Sequence, residues 1–158
     1  MAKPTPAELQ AAKKRASEER AAEQQRIAEE QELEQKRANE RNLWLAEAKQ
    51  RHNQLVSVVH ALYDEVDKLS RKWPTMPITP LTLEKTNRAI AAVKDLLKNE
   101  SDDFAEDIAI IVPAGDLPET RDTVLILRQV QAALNRFGGK YEAEWRKLNR
   151  QDDYYGLQ

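Results

Sequence analysis

The stretch AEAKQRHNQLVSVVHALYDEVDKLSRKW, Ala46 to Trp73, decides how this chain folds. Taken with the residue before it, Leu45, His52, Val59, Val66 and Trp73 share one heptad position, while Ala48, Leu55, Leu62 and Leu69 share another. Alternating steps of three and four place both sets along one side of a helix. Val56, Val58 and Tyr63 widen that stripe around its middle, beyond the narrow seam a two-stranded coiled coil needs. A wide apolar face requires more than one neighbour. The spacing therefore predicts the longest helix of a bundle, packed on helices that follow it in sequence. His52 is a polar residue in the seam, a place where such residues set register or pairing.

Upstream the pattern changes. Charged residues make up 33% of the 158 and aromatics 6%, and the mean hydropathy is -0.77. A core then requires that apolar residues be concentrated, and they lie mainly after residue 42. Residues 1–41 form a polar arm of Ala, Glu, Gln, Lys and Arg, all strong helix formers. Thr5 as N-cap, Pro6 at the first helical position and Glu8 at the third make a helix start. Its charges are less orderly. Glu32/Lys36 has the favourable order, Lys14/Glu18, Arg15/Glu19 and Arg26/Glu30 have the reverse, and Glu19/Glu23 and Arg37/Arg41 repel. At about 0.2 to 0.5 kcal/mol per pair these nearly cancel, so the arm is expected to fray alone and to firm up on a partner. Leu9, Ile27, Leu33 and Leu43 are too sparse for a sustained seam of their own.

Downstream, WPTMPITP ends the long helix, because its prolines remove donors and force extended backbone. Thr79 then caps a second helix with Pro80 at its first position, and Leu83, Ile90, Val93 and Leu97 line one face. SDDFAEDIAIIVP, from Ser101, is ambiguous: the serine and acids suit a helix start, whereas Ile108, Ile110, Ile111 and Val112 suit a strand. TVLIL, Thr123 to Leu127, raises the same choice. A lone hairpin is marginal, so helix is preferred for both. Asp116 and Glu119 supply a capping box for the latter, and Val124, Leu127, Val130, Leu134 and Phe137 follow at helical intervals. Gly138 and Gly139 are expected to end that helix. A last short one presents Tyr141, Trp145 and Leu148, before a tail at 151–158. The fold class expected is all-α: a charged helical arm running into a compact bundle of about four helices, with a 42–150 bundle region and helices near 42–73, 80–99, 102–112, 117–137 and 140–149.

Several chemistries are excluded or poorly supported. Without cysteine there is no disulfide, thiolate metal site or cysteine nucleophile, which fits a reducing, cytoplasmic setting. No apolar run approaches the roughly 20 residues of a membrane span, and no signal-peptide h-region stands at the N-terminus. His60 and Asp64 lie one turn apart, but two ligands do not make a metal site. Asp102, Asp103, Glu106 and Asp107 lack the glycine turn of a calcium loop. Ser57, Ser70 and Ser101 have no nucleophile elbow around them. No catalytic residue, cofactor or metal is assigned, and an enzyme is not expected.

The function expected is that of an assembly, scaffold or adaptor subunit acting through helix-helix contacts. Its partner, or second copy, would meet Ile27, Leu33, Leu43, Trp44, Leu45 and His52. The alternative is a nucleic-acid accessory protein using Lys13, Lys14, Arg15 and Arg20, helped by Lys68, Arg71 and Lys72. The net charge of -2 argues against a general polyanion binder.

Overall fold

The computed structural model describes residues 6–100, 108–112 and 115–155. It is helical, with α1 at Pro6–Lys72, α2 at Pro80–Leu97 and α3 at Thr120–Tyr155. Among the described residues there is no strand, only an isolated bridge between Pro77 and Glu119. The chain divides into two units, Met1–Leu43 and Trp44–Gln158. Thr5, expected as the first cap, and Ser101 to Asp107, expected to open a third helix, lie outside the described residues.

In the first unit α1 is a solvated helix: every described side chain from Lys13 to Leu43 is exposed. In the second unit α1 meets α2 and α3. Leu45, Ala48, Val59, Leu62 and Val66 are buried against Ile90, Val93, Leu127, Val130, Leu134 and Phe137, and Leu55, Val56 and Tyr63 pack at the margin. The stripe thus has two helical neighbours, but Val58, expected to widen it, is exposed, as is Trp73 at the end of the seam. Tyr63 pairs with Arg128, and the Thr120 hydroxyl donates to the carbonyl of Trp73, so α3 runs antiparallel to α1. Arg51 bonds Asp95, and α2 also opposes α1. Helices α2 and α3 are therefore parallel. They start together, because Ile78 N–H donates to Pro118 O and Thr120 N–H to Met76 O, each at 2.9 Å.

Parallel neighbours require a return connection, and this explains the first correction: there are three helices rather than about four. Ile108 to Val112 is neither helix nor strand. Lys94 Nζ donates to Ile108 O, and Asn87 holds Ile111 twice, its Nδ2 donating to Ile111 O at 2.9 Å and its Oδ1 accepting from Ile111 N–H at 2.7 Å. From Lys94 back to Asn87 is about 10 Å along a helix. Extended chain covers that in three residues, which is the separation of Ile108 and Ile111.

The second correction concerns α3. Gly138 and Gly139 do not end a helix; one helix continues through them to Tyr155, into what the sequence suggested was a tail. Two helical glycines cost about 2 kcal/mol relative to alanines. Keeping the helix intact puts Phe137, Tyr141 and Trp145 on one face. At about 25 cal/mol per Å² and roughly 150 to 250 Å² per aromatic ring, each returns more than that. The start of α3 also differs from expectation. Asp116 is not its cap; the helix opens at Thr120, with Glu119 O accepting from the Thr123 N–H and hydroxyl, because Pro118 and Glu119 are occupied crossing residues 76–78. The start of α2 is as predicted, with Thr79 Oγ1 accepting from Thr82 N–H at 3.1 Å.

Candidate functional site

The residues proposed for partner contact fall into two environments. Ile27, Leu33 and Leu43 are 49%, 49% and 63% exposed in the first unit, whereas Leu45 is 3% exposed and belongs to the core of the second. Trp44, at 36%, sets its ring edge against Tyr141, with 5.4 Å between centroids and planes at 72°. His52 is half-buried. Its Nε2 lies 3.0 Å from Leu134 O, so Nε2 must carry the hydrogen, and its ring sits 5.2 Å from that of Trp145 and 5.9 Å from that of Phe137. The seam polar residue is thus engaged within the second unit.

Gly138 makes that approach possible, since a Cβ there would stand 2.9 Å from His52 Nε2. Beside it, the side chain of Glu100, only 4% exposed, accepts from Lys140 Nζ at 2.6 Å and from the Tyr141 hydroxyl at 2.8 Å. Burial first, then the bond to the Glu100 carboxylate, pushes the Tyr141 phenol above its ordinary range. These contacts lock the aromatic cluster to the end of α2. Among the described residues, they leave the Trp145 indole N–H buried without an acceptor.

The basic residues fall in both units. Lys13, Lys14, Arg15 and Arg20 are exposed, and Lys14 stands 3.9 Å from Glu18. Arg71 is held by Asp67, and Lys72 lies 5.8 Å over the Trp73 ring. Among the described residues no three metal-ligating side chains converge, and His60 meets Asp64 at 3.5 Å on the surface.

A site the sequence reading missed lies between α1 and α3 in the second unit. Val56, His60 and Tyr63 from α1 and Arg128, Gln131, Leu134 and Asn135 from α3 line a groove of about 330 Å³. Val56, His60 and Tyr63 on α1, and Arg128, Gln131 and Asn135 on α3, follow helical spacing, three or four residues apart, so both helices present one face to it. Arg128 Nε and Nη2 both donate to the Tyr63 hydroxyl, at 3.1 and 3.0 Å, and the guanidinium carbon lies 5.7 Å over the Tyr63 ring. No family model, curated protein or solved structure matches this chain. Its geometry and chemistry therefore carry any functional reading. Among the described residues, no helix is long and apolar enough to cross a membrane.

Proposed function

We propose that this chain is a non-enzymatic assembly or adaptor subunit that binds a protein, or a second copy of itself, through its N-terminal helix. One observation carries the reading: from Lys13 to Leu43 every described side chain is exposed, Ile27, Leu33 and Leu43 among them. Fixing each residue's backbone costs about 1 to 2 kcal/mol, and most helix stability in proteins comes from packing an apolar face. This stretch has no such packing among the described residues. A partner seated on the side where Ile27 and Leu33 lie together supplies part of it. The test is circular dichroism with light scattering on the full chain over a hundredfold concentration range, alone and with candidate partners. Helicity that rises with association, and falls back in Ile27→Asp/Leu33→Asp, supports the reading. Constant helicity and a monomeric mass in every mixture would remove it.

Nucleic-acid binding is the second reading, favoured by the exposure of Lys13, Lys14, Arg15 and Arg20. Glu18, Glu19 and Glu23 are exposed on the same helix and oppose it. It requires an affinity that falls steeply with salt; no mobility shift at low ionic strength would eliminate it.

A further inference from the structure

The groove between α1 and α3 is rich in hydrogen-bond donors, and one of its lining residues, His60, meets the acid Asp64 at 3.5 Å. Its polar lining consists of His60, Tyr63, Arg128, Gln131 and Asn135, with no carboxylate, in a chain with 27 of them. Arg128 differs from five other arginines of the same unit. Arg51, Arg71, Arg88, Arg121 and Arg146 each pair with an Asp or Glu, whereas Arg128 is oriented by the neutral Tyr63 hydroxyl. Asp67 is near enough to act on Arg128 through its charge, but its bond is to Arg71.

Guanidinium geometry then decides what remains available. Nε–H and one Nη2–H point to Tyr63, which leaves the second Nη2–H and both Nη1 hydrogens. Those form the end-on edge that matches a carboxylate or phosphate bidentately. The amides of Gln131 and Asn135 lie one turn apart on α3, and no hydrogen bond occupies them among the described residues. Val56 and Leu134 supply apolar lining. The volume is at the small end of the range for small-molecule sites, roughly 300 to 1,000 Å³.

We propose that this groove binds a small organic oxyanion, a carboxylate or phosphate monoester with a short apolar body, on the outer edge of the Arg128 guanidinium. The inference is independent of what the N-terminal helix binds. The Tyr63 hydroxyl holds the guanidinium in place, Gln131 and Asn135 donate to the remaining oxygens, and Val56 takes the apolar body.

The test is nuclear magnetic resonance titration of the full chain with phenyl phosphate, benzoate and inorganic phosphate. Phenyl phosphate or benzoate should give saturable shifts at the Arg128 Nε–H and the Gln131 and Asn135 side-chain amides, and should bind more tightly than inorganic phosphate. Arg128→Gln should weaken binding at least tenfold and Arg128→Lys at least threefold, with the remaining amide spectrum superimposing on that of the parent. Arg146→Gln, which removes equal charge elsewhere on α3, should leave affinity unchanged. Asn135→Leu gives a second, milder reading, with affinity falling about threefold. No saturable shift with any of the three probes would overturn the proposal. So would equal affinity in Arg128→Gln, or an equal loss in Arg146→Gln.

Discussion

Gly138 and Gly139 are neighbours on one helix, yet an added methyl group meets different surroundings at each. At Gly139 a Cβ touches nothing within 4 Å, while at Gly138 it runs into the His52 ring. Gly139→Ala should therefore stabilise the protein by about 0.5 to 1 kcal/mol through helix propensity. Gly138→Ala should destabilise it by about 1 kcal/mol, since displacing His52 from Leu134 O and the aromatic rings outweighs the same propensity gain. Urea denaturation checks both signs; in a His52→Ala background, Gly138→Ala should become stabilising, and two equal gains in the parent would refute the contact. Thr86 is fully buried and, among the described residues, its hydroxyl has no partner. Thr86→Val should raise stability by about 1 kcal/mol, because the replacement has nearly the same shape and needs no hydrogen bond. Tyr141 gives a pH prediction. The folded chain keeps the phenol proton longer than the unfolded one, so this group's stabilising contribution is intact below about pH 10 and is lost as pH rises through the folded value. Absorbance titration at high pH should show one late-ionising tyrosine that disappears in Tyr141→Phe. The heptad pattern made the position of His52 legible, but not its bond to a carbonyl 82 residues away, because nothing local to His52 specifies Leu134.

Elements were legible where local chemistry and apolar period agreed. Thr79 with Pro80 marks the start of α2 by rules that operate within four residues, and the structure keeps them. In α3 the two signals conflicted. The glycine pair suggested an end, yet Phe137, Tyr141, Trp145 and Leu148 continue at steps of four, four and three across it. That uninterrupted schedule was the readable sign of one helix, and burial of the rings prevailed over propensity. The segment at 108–112 was not legible as extended chain, since its apolar residues suit helix or strand and its anchors are side chains from another element. Asn87 serves it as a strand edge would, giving one donor and one acceptor to the same residue. Asn87→Ala should release it: hydrogen exchange at the Ile111 amide should speed up at least tenfold, while exchange in the middle of α3 stays nearly unchanged. Equal acceleration in both places would mean that the clamp supports the whole bundle rather than one segment.

At the scale of the molecule, among the residues whose burial is described, those buried in the core begin at Leu45, where the heptad seam starts. A chain beginning at Asn42 should therefore fold, with a thermal midpoint within about 3 °C of the full chain, equivalent to less than about 1 kcal/mol. A much larger fall would show that the first 41 residues contribute to folding stability. The groove beside Arg128 was less legible, because its lining comes from residues some seventy apart whose meeting depends on how α1 and α3 align. The crossing of Met76–Ile78 with Pro118–Thr120 has a consequence for the history of the chain. The polypeptide leaves and returns at adjacent points that are hydrogen-bonded to each other, and because α2 within that loop is part of the core, the part whose length is open to change is the connection after α2. Its length can drift, or a foreign domain can be spliced into it, without changing the distance its ends must span. Relatives of this protein should differ most in length between those two crossings.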